Sequence, residues 1–109
     1  MTPASALDPR VLEASAGRAT ALLKALSSPH RLMVLCRLGE AECTVGELLA
    51  QVGLSQSALS QHLAVLRDEG LVATRREGTS IFYRIADPAA LKVIAVLIDI
   101  YCPPGAQES

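Results

Sequence analysis

The stretch Ser55–Glu69, SQSALSQHLAVLRDE, decides the fold. Ser55 is a helix-capping residue type, and Leu59, Leu63 and Leu66 recur at i, i+4 and i+7, the apolar stripe of an amphipathic helix. The opposite face near its start carries Gln56, Ser57, Ser60, Gln61 and His62, short hydrogen-bonding side chains with few charges. Leucines behind and amides and hydroxyls in front suit a helix lying in a DNA major groove, where base edges offer donors and acceptors. Polar helix faces are usually just wet, so the neighbours of this helix carry the decision. Upstream, across the turn Gly53-Leu54, a shorter helix is expected over Val45 to Val52. Thr44-Val45-Gly46-Glu47 opens it with capping-box spacing.

Downstream the pattern changes. Gly70 ends the helix, and Leu71 to Arg76 and Ser80 to Ile85 are rich in β-branched and aromatic residues. They flank the turn Glu77-Gly78-Thr79, which predicts a β-hairpin. Arg75, Arg76 and Arg84 lie on or near it. A helix-turn-helix followed by a basic hairpin is a winged helix: the helix reads bases and the hairpin holds the phosphate backbone. The bland alternative is a helical domain with a solvated hairpin.

The remaining helix starts pair a capping residue with proline at the first helical position: Asp8-Pro9, Ser28-Pro29 and Asp87-Pro88. Five helices follow, near residues 9–26, 29–39, 45–52, 56–69 and 88–102. The fold expected is mainly α with a small β-hairpin, one domain over residues 8–102, with flexible ends at 1–7 and 103–109. At 109 residues the core is small, and with 50% hydrophobic but only 3% aromatic residues it must be aliphatic. In the last helix, PAALKVIAVLIDIYC, Leu91, Ile94, Ile98 and Tyr101 lie on one stripe and Val93, Leu97 and Ile100 on another. A helix apolar nearly all round needs more than one cover. A second copy of the chain supplies the other, with Leu22, Leu91, Ile94, Leu97, Ile98 and Tyr101 expected at the interface. The net charge of −1 excludes a nonspecific polycation, though not a local basic face. No leader or membrane anchor is visible, and three cysteines in such a chain fit a reducing cytoplasm.

The runs SSPHRLMVLCRL and TVGELLAQVGLSQSALSQHLAVLRDEGLVATRREGTSIFYRI strongly resemble the ArsR/SmtB family of bacterial repressors. The likeness spans roughly residues 18–102 and is specific in order, spacing and turn residues. It implies a homodimer through the first and last helices, whose recognition helices bind double-stranded DNA bearing an imperfect inverted repeat. Ser55, Gln56, Ser57, Ser60, Gln61 and His62 would then face bases or nearby phosphates. Arg75, Arg76, Thr79 and Arg84 would contact backbone or minor groove. His62 has an equal alternative as a polar helix residue near phosphate.

Family members differ mainly in the inducer site. Where the arsenic, cadmium and lead sensors carry a Cys-x-Cys pair, this chain has Thr44 and Gly46. Where the zinc, cobalt and nickel sensors use Asp and His on the last helix, it offers only Asp99; His30 and His62 lie elsewhere. No four-ligand metal site can be assembled, and no cofactor is expected. Cys43, at a helix N-terminus, should gain thiolate character from the helix dipole and the unpaired amides. Cys102 ends the last helix before Pro103-Pro104, which leaves its thiol accessible. Cys43 in ECTVGEL and Cys102 in IDIYC resemble the cysteine pair of the persulfide-responsive BigR/SqrR group. That resemblance implies sensing thiols at Cys43 and Cys102, bridged by a polysulfide when persulfides arrive as inducers, with genes of sulfide oxidation or detoxification under control. A direct disulfide needs Cα atoms within about 7 Å, whereas extra sulfur atoms close a wider gap with less strain. Cys36, in Leu32-Met33-Val34-Leu35-Cys36, reads as inert packing on an apolar stripe.

Three rival readings remain. The signal could be peroxide or disulfide stress, or a soft metal or As(III) bound by thiolate. A small thiol enzyme is disfavoured by the lack of a Cys-x-x-Cys, a phosphate loop or a Cys-His pair. A winged helix that binds only protein would fail to bind promoter DNA even at low salt.

Overall fold

The computed structural model describes residues 8–102; the expected loose ends at 1–7 and 103–109 lie outside the described residues. The elements run α1 (Pro9–Leu26), α2 (Pro29–Glu40), β1 (Cys43–Thr44), α3 (Val45–Val52), α4 (Gln56–Asp68), β2 (Val72–Glu77), β3 (Ser80–Ile85) and α5 (Pro88–Tyr101). Each helix begins where a side chain replaces a missing backbone partner. Asp8 Oδ1 accepts from the Arg10 amide at 2.8 Å, and Asp87 Oδ1 from the Ala89 amide at 2.9 Å. Ser28 Oγ accepts from Arg31 at 3.3 Å and Ser55 Oγ from Ala58 at 3.2 Å. The capping box of α3 is complete: Thr44 Oγ1 accepts from the Glu47 amide at 3.2 Å, and Glu47 Oε1 accepts from the Thr44 amide at 2.8 Å.

The core sits where α2, α3, α4 and the sheet converge. Val34, Leu35, Leu48, Leu59 and Leu66 are completely shielded, and Leu63, Leu71 and Val72 nearly so. The leucine stripe of α4 therefore faces inward along its whole length, leaving the serines and glutamines outside. Deleting one such side chain costs about 2–5 kcal/mol, through lost transfer energy and the cavity left behind.

The hairpin is present, and it carries a third strand. β1 pairs antiparallel with β3 (Cys43 opposite Tyr83, Thr44 opposite Phe82), so the sheet order is β1-β3-β2. Glu77 pairs with Ser80, which leaves Gly78-Thr79 as a two-residue turn. Gly78 has φ 62° and, among the described residues, no non-glycine residue has positive φ, the arrangement of a II′ hairpin turn.

α1 projects from this body. Every residue from Pro9 to Ala21 is exposed, and the helix joins the core only through Leu22, Ala25 and Leu26. No helix among the described residues is long and apolar enough to cross a membrane.

Candidate DNA interface and thiol groove

Two regions gather the candidate residues: the surface shared by α4 and the hairpin, and a groove between α2 and the end of α5.

On α4, Gln56, Ser57, Ser60 and Gln61 are exposed. Ser55 is exposed too, with its oxygen holding the cap and lying 3.4 Å from the Ser57 hydroxyl. His62 departs from this set. It is half-buried and turned toward α2, its ring stacked on His30 with centroids 5.8 Å apart and planes inclined by 19°. The cause is its helical position, three residues after Leu59 and four before Leu66, on the edge of the buried stripe. Burial, then the Arg31 guanidinium and then His30 push the His62 pKa below its ordinary value. A neutral ring packed against α2 is a joint between helices.

Strand register sorts the arginines. Residues directly opposite share a sheet face, so Thr74, Arg76, Ile81 and Tyr83 lie on one side and Ala73, Arg75, Phe82 and Arg84 on the other. Tyr83 lines a cleft with Ser60, Ala64 and Arg67, which identifies the first side as the one facing α4. Arg76 is exposed at the end of that side, beside the turn residue Thr79. Arg84 is exposed on the far side, and Arg75 is already engaged there. Its Nε donates to Glu42 at 2.8 Å, its Nη1 donates to Glu77 at 2.7 Å, and its guanidinium lies 4.6 Å from the Phe82 ring centroid. Arg75 thus ties the hairpin to the segment before α3, a use its sequence position did not announce. Arg67, at i+7 from Ser60, lines the same cleft as Ser60 and Tyr83.

Cys102 is exposed as expected, Cys43 departs from expectation, and none of the three cysteines is in a disulfide. Cys43 is only 6% exposed. It shares the inner sheet face with Tyr83, and its Sγ lies 3.5 Å from the Ala41 carbonyl. Burial pushes its pKa up, with Glu47 and Glu40 adding to the effect and Arg37 opposing it. The thiolate expected there is therefore disfavoured. The capping box already occupies the Thr44 and Glu47 amides, so they are not open to a Cys43 thiolate.

Cys36 is half-buried rather than sealed in the core. It lines an open groove of about 570 Å³ together with Leu32, Met33, Arg37, Glu40, Ile98 and Cys102. Cys102, exposed at the C-cap of α5, is close enough that its charge raises the Cys36 pKa, second to burial. The cysteine that meets Cys102 across this groove is Cys36. Cys36 packs against the core, as expected, and also lines this groove.

Of the expected interface residues, Leu91 (42%), Ile98 (39%) and Tyr101 (75%) are exposed, and Leu22 and Leu97 are half-buried. Ile94, at 4%, is core. Val11, Leu12 and Leu23 on α1 and Val96 and Ile100 on α5 are also exposed, all about half or more. The large exposed apolar side chains are thus concentrated on the first and last helices.

Residues 28–74 match the family described as "Bacterial regulatory protein, arsR family". The chain is 50% identical over 93 residues to the HTH-type transcriptional regulator YgaV of Escherichia coli, covering 84% of this chain and 94% of that protein. It is also similar to the crystal structure of the transcriptional repressor BigR from Xylella fastidiosa. There the identity is 44% and the TM-score 0.81, covering 88% of this chain and 98% of the other. A homodimeric winged helix-turn-helix DNA-binding domain from Mycobacterium bovis superposes with a TM-score of 0.72 at 30% identity, covering 86% of each chain.

Proposed function

Because the chain belongs to the arsR family of bacterial regulatory proteins, and so is a winged-helix transcriptional regulator, we propose that it is a homodimeric repressor released from DNA by reactive sulfur. The sensing thiols in this reading are Cys36 and Cys102, in place of Cys43 and Cys102. One observation carries that choice: Cys36 and Cys102 line the same groove, while Cys43 is sealed beneath the sheet.

The chemistry follows from exposure. Exposed Cys102, as thiolate, attacks the outer sulfur of a persulfide, takes up that sulfur and releases the carrier thiol. The new persulfide anion repeats the step on a second molecule. The Cys36 thiolate then attacks the middle sulfur of the chain on Cys102 and expels hydrogen sulfide, leaving a trisulfide. Two cysteines and two persulfides thus give one bridge, two thiols and one sulfide, with no outside oxidant. The bridge would tie the end of α5 to α2, linking the dimer helix to the body that carries α4. A repressor whose two half-sites must match DNA spacing is sensitive to such a link.

DNA binding in this reading uses Gln56, Ser57, Ser60 and Gln61 at base edges or nearby phosphates, with Arg76 and Thr79 on the backbone. The operator is an imperfect inverted repeat, matching a two-fold dimer. The dimer itself is supported by the uncovered apolar faces of α1 and α5 and by the homodimeric relative. Control of sulfide oxidation or detoxification genes fits an inducer of this chemistry.

The test is intact mass and peptide mapping after treating reduced protein with an organic persulfide and, separately, with peroxide. The expected result is a gain of sulfur with loss of the thiols of Cys36 and Cys102 under persulfide alone. Loss of two hydrogens under both reagents would make this a general disulfide switch. Sulfur mapped to Cys43 would return the first pairing.

A further inference from the structure

The groove that holds Cys36 and Cys102 contains a third sulfur. Met33 precedes Cys36 by three residues on α2, so both side chains emerge on the same face. Met33 is 46% exposed and lines the groove with both cysteines. Among the described residues no three His, Cys, Asp or Glu side chains gather into a metal site. That set of ligands leaves out the thioether, and a thioether beside two thiols defines a different class of ion.

We propose that Met33, Cys36 and Cys102 form a three-sulfur site for a soft monovalent metal ion, copper(I). Thiolate and thioether ligands select copper(I) over harder ions, which want nitrogen and oxygen donors. Zinc would need four ligands, and the groove offers no imidazole. Glu40, the one carboxylate in the lining, is held by Arg37 at 3.3 Å. Binding converts both thiols to thiolates and sends two protons to solvent. The copper complex is left with one negative charge, and the Arg37 guanidinium at the rim offsets it. Leu32 and Ile98 form apolar walls beside the sulfurs, which suits a weakly hydrated ion. Because two protons must leave, apparent affinity falls as pH drops.

The site shares two thiols with the proposed sulfur sensor but does not depend on that chemistry, and its test uses neither persulfide nor DNA. Reduced full-length protein is titrated anaerobically with copper(I) against a chromogenic copper(I) chelator. The expected result is one ion per chain, lost in Cys36→Ser and in Cys102→Ser and unchanged in Cys43→Ser. Met33→Leu keeps both thiols and nearly conserves volume at an exposed position, so its fold is preserved. Its affinity should fall at least about tenfold, as losing a supporting group does at metal sites. Equal affinity in wild type and Met33→Leu would overturn the three-sulfur site. So would failure to take copper from the chelator, or loss of the ion in Cys43→Ser.

Discussion

His62 gives α4 a pH dependence, chiefly through its burial against α2. Its pKa is lowered in the fold, chiefly by burial and then by Arg31 and His30, so the folded state prefers the neutral ring. The unfolded chain, titrating near the ordinary histidine value of 6.5, binds the proton more readily. Stability from this residue is therefore complete above that pH and is lost as pH falls through 6.5 toward the lower folded pKa. Thermal melts between neutral and mildly acidic pH should show a smaller acid loss in His62→Gln than in wild type. An equal loss would remove the His30–His62 contact from the account. The cysteines show at the same scale where sequence reading stops. All three were visible as thiols, and the exposure of Cys102 followed from the prolines after it. Which cysteine faces Cys102 depends on the side of α2 that turns to α5. Val34, Leu35 and Leu38 take the buried stripe, which leaves Leu32, Met33 and Cys36 on its flank, and periodicity alone does not separate flank from core.

At the scale of elements, boundaries were legible because they are written locally. Aspartate or serine before proline marks three helices, threonine and glutamate mark α3, and glycine marks the hairpin turn. The two residues of β1 escaped notice, since so short a strand has no period, and its existence depends on β3 lying alongside. β1 also explains the burial of Cys43. Within the hairpin Arg75 pairs with Glu77 and packs over Phe82, and it ties the hairpin to Glu42 before α3. Arg76 is the arginine on the face toward α4, so Arg76→Ala should weaken DNA binding across sequences and flatten the dependence of log affinity on log salt by about one phosphate contact. Arg84→Ala, on the opposite face, should leave that slope unchanged. If Arg84→Ala flattened the slope and Arg76→Ala did not, the wing would be oriented the other way.

At the scale of the molecule, the single chain leaves apolar faces of α1 and α5 uncovered. α1 has its first turns fully exposed, and an isolated helix in water is only marginally stable without tertiary cover. Ile100 on α5 is 59% exposed and Leu12 on α1 is 49% exposed. A charge placed at either should split the dimer, so Leu12→Glu and Ile100→Glu should sediment as monomers and lose operator affinity together. Variants that stayed dimeric would put the interface elsewhere.

The central claim, that a sulfur bridge between α2 and α5 releases DNA, is tested most directly by measuring operator release. Wild type and the three single Cys→Ser variants are each bound to operator and treated with an organic persulfide. Wild type and Cys43→Ser should dissociate, whereas Cys36→Ser and Cys102→Ser should bind when reduced and stay bound. Release by Cys36→Ser, or retention by Cys43→Ser, would contradict the account.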